Sequence, residues 1–249
     1  FLQNSFNQEF ISGLTYSFTY NGLIDENKTH QFFLNSTVDI AGNLVDAISG
    51  HSEENPQTFL GLRYSQYAKA DVDFRYHLKT GRDSKIASRL FAGYGLPYGN
   101  SDVLPFTKQY FAGGPYSVRA FNIRSLGPGT YEPEGEDGAF FDQAGNIRLE
   151  ANLEYRFPLF PYLYGAVFAD AGNVWYTGEN STLDGGEFSK DFMNELGIGT
   201  GFGLRVDIQS FVIRVDLAAP LHDPALAEGE RWEFDYANPV LNFAIGYPF

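Results

Sequence analysis

Along most of the chain, apolar and polar residues alternate with a period of two, which indicates β-strands that have two different faces. The alternation is clearest between residues 146 and 157. This segment has about the ~9–11 residues that a tilted strand needs to cross a membrane. Its apolar face carries Ile147, Leu149, Ala151, Leu153, Tyr155 and Phe157, and its polar face carries Asn146, Arg148, Glu150, Asn152, Glu154 and Arg156.

Eight further segments show the same alternation, so the sequence predicts nine strands in all. One of them is unusual because its polar face consists of Glu195, Arg205, Asp207 and four glycines. The last one carries aromatic and aliphatic residues at every second position. The eight segments lie near residues 9–20, 29–40, 61–79, 85–96, 162–174, 195–207, 211–218 and 239–249.

The connections between these strands alternate in length. Short ones lie at 21–28, 80–84, 158–161 and 208–210, and long ones at 41–60, 97–143, 174–194 and 219–238. This order predicts an all-β fold, a transmembrane antiparallel up-and-down barrel with short periplasmic turns and long outer loops. A soluble antiparallel sandwich is the alternative, but its strands usually have only ~5–6 residues.

Composition supports the membrane barrel. Aromatic residues make up 17% of the chain, yet the mean hydropathy is only -0.25 and no run approaches the ~18 apolar residues of a membrane helix. The net charge of -14 argues against nucleic acid as a partner, because phosphate binding needs clustered Lys and Arg. The absence of cysteine excludes disulfides and thiolate metal sites within the 249 residues.

An odd number of strands is difficult for a single-chain bacterial barrel, since open edges cannot face hydrocarbon. Either one strand is missed, or the chain is the C-terminal part of a larger barrel. We favour the second interpretation, in which residues 1–249 form one partial barrel domain. Residue 1 does not open a signal peptide, so we expect a mature chain or a piece of a longer one.

Residues 111–130 combine turn-forming Gly and Pro with two arginines and several large apolar side chains, which favours a loop that folds inward and docks. The distinctive positions are Gly113, Gly114, Val118, Arg119, Ala120 and Phe121. This pattern resembles the VRGF/Y motif of the BamA/TamA superfamily of outer-membrane assembly barrels. In that family the motif lies in the sixth extracellular loop, which folds back into the lumen.

Two later segments resemble the same family. Residues 153–158 (Leu-Glu-Tyr-Arg-Phe-Pro) are similar to its next strand, and residues 168–172 (Phe-Ala-Asp-Ala-Gly) to the F-x-D-x-G signature one strand further on. Residues 124–129 look like the continuation seen in the TamA-like branch. Family barrels have sixteen strands, five of them after this loop, which is also the number predicted for this chain.

The resemblance implies a bacterial outer-membrane protein that inserts or translocates other outer-membrane proteins without a cofactor. Its implied partners are unfolded outer-membrane protein clients, outer-membrane lipid, and accessory lipoproteins or periplasmic proteins. Upstream strands and periplasmic POTRA domains are expected before residue 1. A secretion pore for one dedicated partner, or a passive diffusion channel, is the alternative.

The resemblance also implies a site. We expect Arg119 to reach Asp170, Glu154 or both in the lumen, because carboxylates match the fork of guanidinium donors. Arg156, Phe168 and Gly172 belong to the same two motifs and are expected beside them. In the alternative, these charged side chains only face a water-filled lumen, and Arg119 is exposed to solvent.

Small residues leave two questions about this loop. Ala120 stands where the family usually has Gly, and it would be strained if that position required a positive φ. Gly197, Gly199, Gly201 and Gly203 either make room for the docked loop or mark curvature of the sheet.

The last predicted strand places Leu241, Phe243, Ile245, Tyr247 and Phe249 on one face. This pattern resembles the C-terminal signal of outer-membrane barrels, and in the family the last strand forms a seam with the first. Gly246 and Pro248 would weaken pairing there, although Pro248 could equally just end the strand.

Neither a catalytic nor a metal site is predicted. The four histidines are scattered, and only His222 has an adjacent carboxylate, Asp223. The acidic run at residues 132–137 lacks the spacing of a Ca²⁺ loop and is expected to be solvated.

Overall fold

A computed structural model of the chain describes residues 8–25, 27–49, 56–132, 142–178, 183–208, 211–232, 234 and 236–249. Nine long strands dominate it and form one sheet. They are β1 (Gly13–Asn21), β2 (His30–Ala41), β3 (Tyr67–Lys79), β4 (Lys85–Pro97), β5 (Ile147–Phe160), β6 (Leu163–Trp175), β7 (Gly197–Asp207), β8 (Val212–His222) and β9 (Val240–Ile245).

Every long strand pairs antiparallel with its neighbours in sequence, so the sheet is a continuous meander from β1 to β9. No described strand pairs with the outer side of β1 or β9. The nine strands therefore form an open segment of an up-and-down barrel. The predicted fold class and the predicted number of strands are confirmed.

Burial follows the predicted alternation closely. In β5, Glu150, Asn152 and Glu154 are buried, whereas Leu153 and Tyr155 on the other face are 52% and 40% exposed. The polar side chains are buried because they face the concave side of the sheet, where the long loop between β4 and β5 lies against them. The apolar side chains form the outer wall, as expected of strands that face lipid.

The connections also alternate as predicted. Short turns cover 22–29, 80–84, 161–162 and 208–211, and long connections cover 42–66, 98–146, 176–196 and 223–239. The first long connection contains the helix α1 (Asn43–Ser49). Within the described residues, no helix is both long enough and apolar enough to cross a membrane.

Three strands begin at least two residues later than predicted. Residues 9–10 do not extend β1, and residues 62–64 do not extend β3. Together with 58–59 they form a separate three-stranded sheet, in which the rings of Phe10 and Phe59 lie 5.1 Å apart. Alternation alone could not reveal this, because residues 9–10 and 62–64 follow the same period of two as the barrel strands that come after them.

The third difference concerns Glu195, which was predicted on the inner face of β7. It belongs instead to a short 3-10 helix, Phe192–Glu195, before that strand. Its carboxylate accepts hydrogen bonds from Trp175 Nε1 and Ser189 Oγ, both at 2.5 Å. Aromatic residues near the ends of membrane strands are expected at the membrane interfaces, but Trp175 at the end of β6 is fully buried.

The two faces of the sheet predict unequal effects of an added charge. We expect Val167→Arg, on the outer wall of β6, to lower the free energy of unfolding in lipid vesicles by about 2–4 kcal/mol. Phe160→Arg, beside the short turn at 161–162, should cost only about 0–1 kcal/mol because its charge can reach the interface. Equal effects in urea titrations of the vesicle-embedded protein would contradict this orientation of the outer wall.

Candidate functional site

The loop between β4 and β5 folds back onto the concave face of the sheet. Its tip is a compact turn in which Gly114 N–H donates to Phe121 O at 2.9 Å and Ser117 N–H donates to Gly114 O at 3.0 Å. Gly113 and Gly114 have φ values of 97° and 95°, which favour glycine strongly. These glycines turn the chain so that Arg119 points into the lumen.

Arg119 is fully buried and is held by two carboxylates. Its Nε and Nη2 donate to the two oxygens of Asp170 at 2.7 and 2.9 Å, and its Nη1 donates to Glu154 Oε2 at 2.5 Å. The guanidinium carbon lies 3.4 Å from the centre of the Phe168 ring, a cation–π contact. The structure thus brings together four of the residues that the sequence singled out.

A larger ionic cluster surrounds this pair. Arg205 Nη2 and Arg156 Nε also donate to Glu154, at 2.9 and 2.7 Å. Asp216 accepts from Arg205 Nη1 at 2.5 Å and from Arg214 Nη1 at 2.6 Å. Four guanidinium groups therefore meet three carboxylates (Glu154, Asp170 and Asp216), and all seven side chains are buried.

Arg205, Arg214 and Asp216 occupy polar positions of the alternating segments 195–207 and 211–218, which places them on the lumen side, but the sequence assigned them no role in the site. Alternation gives the face on which a residue lies, and it does not show which residues on different strands meet across the curved wall. One signal was present in the sequence, because β7 and β8 carry these charges near one end of each strand.

A second set of contacts anchors the loop through Ser117. Its Oγ donates to Glu150 Oε2 at 2.7 Å, and its carbonyl accepts from Asn152 Nδ2 at 3.1 Å. Glu150 in turn binds Arg89 at 2.8 Å and also pairs with Arg148. The inner face of β5 therefore holds the loop in two places: Glu150 and Asn152 bind Ser117, and Glu154 binds Arg119.

Glycines on the inner wall provide the space for the loop. A Cβ atom added to Gly199 would lie 2.1 Å from Ala120 Cβ, and one added to Gly197 would lie 2.6 Å from Leu126 Cδ1. Gly93 and Gly95 on β4, which were not singled out from the sequence, make the same kind of room for Tyr110 and Leu104. Their signal was present, because they also lie on the inner face of a strand.

The other two glycines of β7 serve the wall itself. A Cβ atom at Gly201 would come within 2.2 Å of Leu217 O, and one at Gly203 within 1.9 Å of Asp216 Oδ1. Docking of the loop therefore accounts for Gly197 and Gly199, whereas Gly201 and Gly203 allow close packing within the wall and its ionic cluster.

Ala120 is not strained. Among the described residues, the non-glycine residues with positive φ are Leu60, Arg124 and Tyr162. Ala120 is thus free of the left-handed conformation that its replacement of Gly had suggested, and its methyl group packs against Gly199 instead. The turn at the tip is tight because of Gly113 and Gly114.

Apolar contacts complete the docking. Val118, Phe121 and Leu126 of the loop pack with Phe168 and Val174 of β6 in one buried cluster. A Cβ atom at Gly172, the last residue of the F-x-D-x-G pattern, would lie 3.1 Å from Val118 Cγ2. Gly172 therefore lets the loop approach the strand closely.

The loop also reaches the opposite end of the sheet. Lys108 Nζ donates to Asp39 Oδ2 of β2 at 2.7 Å, and this hydrogen bond raises the pKa of the Lys108 ammonium. Asn242 Nδ2 of β9 donates to Arg119 O at 2.9 Å. One loop thus contacts both flanks of the sheet, which shows that the sheet curves around it.

The end of the chain corrects one prediction. Leu241, Phe243 and Ile245 face outward and are 64–68% exposed, as predicted. Tyr247 and Phe249 do not share that face, because Gly246 has a φ of 92° and turns the chain inward. The Arg156 guanidinium lies 4.4 Å from the Tyr247 ring, and its Nη2 donates to Phe249 O at 3.1 Å.

Those residues considered for catalysis or metal binding that the structure describes do not assemble into a site. His222 Nδ1 lies 2.7 Å from Leu196 O, and the Asp223 carboxylate accepts from Ala225 N–H. In the described part of the chain, no three His, Cys, Asp or Glu side chains are grouped as metal ligands. Most of the acidic run, residues 133–137, lies outside the described residues, as does His51.

Comparison with known proteins gives a family and a fold. The model of the Omp85 superfamily domain matches residues 5–246. The outer membrane protein assembly factor BamA of Neisseria meningitidis serogroup B is 28% identical in an alignment 157 residues long, which covers 55% of this chain and 19% of that protein.

Among solved structures, BamA from Haemophilus ducreyi lacking POTRA domains 1–3 has a TM-score of 0.61 at 20% identity, covering 94% of this chain and 41% of that one. This likeness bears on the fold. CdiB from Acinetobacter baumannii, with the same coverage, has a TM-score of 0.40 at 13% identity. This chain spans less than half the length of each of these proteins.

The buried ion pairs predict that Arg119 holds the loop. Arg119→Lys keeps the charge but loses the fork of donors that binds two carboxylates at once. We expect the free energy of unfolding to fall by about 3–5 kcal/mol, as when a buried ion pair is broken. The loop should then be cleaved by protease added outside vesicles that contain the full-length protein.

The matched control is Arg124→Ala in the same loop. Arg124 forms an ion pair with Asp142, and the two side chains are 46% and 37% exposed. Losing this pair should therefore lower the free energy of unfolding by only about 0–1 kcal/mol. Equal protease resistance of the Arg119→Lys and Arg124→Ala variants would refute the anchoring role.

The contact between Ala120 and Gly199 predicts a rescue. Gly199→Ala places two methyl groups 2.1 Å apart and should destabilise the protein by about 1–3 kcal/mol. Adding Ala120→Gly should recover most of this loss, although Ala219 O remains 3.2 Å from the new Cβ. Gly178→Ala, where a Cβ meets nothing within 4 Å, is the control. Additive effects of the two changes in denaturant titrations would contradict direct packing.

Proposed function

This chain belongs to the Omp85 superfamily, and from that membership we propose that it is part of a barrel that assembles other proteins into the outer membrane. The predicted resemblance to BamA/TamA-type barrels is confirmed by the family match. Family members are bacterial outer-membrane proteins that act as non-enzymatic assembly or transport barrels, and the outer membrane is the location of this chain.

The observation that carries the proposal is the docked loop. A passive channel needs an open lumen, whereas in this chain Arg119, Val118 and Leu126 of the loop are buried against the inner wall. A loop held by a cluster of buried charges is a costly feature, since each charge must be desolvated. Such a loop fits a barrel that keeps its lumen closed and assembles client proteins at its wall.

The proposed work requires no covalent chemistry. The clients are unfolded outer-membrane proteins, and the energy comes from their own folding as their strands and apolar side chains leave water. The barrel contributes a strand edge on which a client strand forms backbone hydrogen bonds. β9 is the last strand of the described sheet, and we place it at the seam with the first strand of the complete barrel.

We propose that the complete protein has further parts outside these residues. They are upstream strands that complete the barrel and periplasmic POTRA domains that deliver clients. Accessory lipoproteins and surrounding lipid are proposed partners as well. Membership of the TamA-like branch, suggested by residues 124–129, stays a prediction.

Reconstitution tests the proposed function. The full-length protein in phospholipid vesicles should speed the folding of a urea-denatured outer-membrane β-barrel protein severalfold over empty vesicles. Folding is read from protease protection of the client. Arg119→Lys should reduce this acceleration, and Arg124→Ala should retain it.

Two other outcomes would point elsewhere. Rapid swelling of the vesicles in sugar solutions, without faster client folding, would indicate a passive channel. Export of one dedicated partner, with no effect on the folding of barrel proteins, would indicate a secretion pore.

A further inference from the structure

Small side chains form a depression in the outer wall of the sheet. Ala92 of β4, Ala151 of β5 and Ala171 of β6 occupy outward positions on three adjacent strands. Ala151 lies opposite Ala171 on one side and Leu90 on the other, and Ala92 lies opposite Leu149, the neighbouring outward residue of β5. The wall is therefore thinner here than where Leu, Phe and Tyr side chains cover it.

Larger apolar side chains stand on both sides of these alanines and turn the depression into a groove of about 400 Å³. Val72 and Phe74 of β3 line the groove on one side. Met193 and Leu196, from the connection between β6 and β7, line it on the other. The lining is almost entirely apolar, so the groove suits a hydrocarbon ligand.

The connection between β6 and β7 is fixed to the wall by hydrogen bonds. Asn173 Nδ2 of β6 donates to Glu195 O, at the end of the 3-10 helix Phe192–Glu195, at 2.5 Å. The same amide group donates to Gly129 O of the docked loop at 2.8 Å. Asn173 is fully buried, whereas Met193 in the helix is 64% exposed. The helix thus forms a fixed side of the groove, and Met193 can be reached from the membrane.

The groove lies on a complete part of the wall. Each of the strands β3, β4, β5 and β6 is paired on both sides within the described sheet, so strands that precede residue 1 would not lie over their outer face. The connection that carries the 3-10 helix is one of the long ones, which lie on the extracellular side of such barrels. The groove is therefore continuous with the lipid-facing wall, in the extracellular half of the membrane.

The width of the groove selects among apolar ligands. The backbones of β4 and β6 are two strand spacings, roughly 10 Å, apart, and the side chains of Leu90 and Met193 occupy part of that width. A membrane helix of a partner protein is about 10–12 Å across, so it would rest on the rims without reaching the alanines. A single acyl chain is narrow and flexible enough to lie on them.

Unfilled space beside a protein wall loses dispersion contacts, and hydrocarbon offers no water to fill it. We propose that the groove is a binding site for one acyl chain of a membrane lipid in the extracellular half of the membrane. The chain lies on Ala151 and Ala171, and the thioether of Met193, which adapts to irregular apolar surfaces, packs against it. The proposal goes beyond the assembly function, because it requires only that the outer wall faces lipid.

Photolabelling tests this proposal in the full-length protein. The protein is reconstituted in phosphatidylcholine vesicles in which some of the lipids carry a photoreactive diazirine on one acyl chain. After irradiation, mass spectrometry measures the yield of lipid adducts at Met193 and, as an internal reference, at Phe202. Phe202 lies on the outer wall of β7 outside the groove and is 61% exposed.

Filling the groove should displace the acyl chain. Ala151→Phe should lower the yield at Met193, relative to Phe202, by roughly three- to tenfold, the effect of several lost methylene contacts on an equilibrium. Ala92→Phe, which fills the groove from β4, should have the same effect. Ala169→Phe is the matched control, because Ala169 is also an exposed alanine of the outer wall but does not line the groove. It should leave the ratio unchanged.

Each other outcome would overturn the site. An unchanged ratio in Ala151→Phe and Ala92→Phe, with the docked loop still resistant to protease, would mean that no chain occupies the groove. Equal falls in Ala151→Phe and Ala169→Phe would mean that lipid covers the outer wall uniformly. A lack of adducts at Met193 in the unsubstituted protein would mean that another part of the full-length protein covers the groove.

Discussion

The arrangement of the lumen depends on the burial of one guanidinium group. Arg119 has no exposed surface, and a charge in that position must be matched by carboxylates with good geometry. Asp170 provides a bidentate contact and Glu154 a further one. The glycines of β4 and β7, the turn at Gly113 and Gly114, and the apolar cluster around Phe168 all allow the loop to approach closely enough for these contacts.

Alternation in the sequence was sufficient to predict the sheet, and its limits are instructive. A strand with one wet and one lipid-facing side shows its inner residues directly, which is why Glu154 and Asp170 could be placed opposite the loop. Strand ends were less predictable. Residues 9–10, 62–64 and 247–249 continue the period of two, but the chain has already turned away, and at Gly246 a single backbone angle decides the direction.

The ionic cluster shows a second limit. Arg205, Arg214 and Asp216 had the expected orientation, yet their contacts with Glu154 and with each other depend on how the strands are staggered around the curved wall. That stagger follows from the packing of the whole sheet, and the sequence shows only that these charges lie near one end of β7 and of β8. The family resemblance identified Arg119 and its two partners because a motif records the outcome of such packing.

The two carboxylates that hold Arg119 would fare differently if the loop withdrew. Glu154 would still face Arg156 and Arg205, so its charge would remain neutralised by the wall. Of its described hydrogen-bond partners, Asp170 would keep only the amide of Asn152. Withdrawal of the loop would therefore leave Asp170 as the carboxylate of this pair that water must solvate, in addition to the loss of the apolar packing around Phe168 and of the contacts of Ser117 and Lys108.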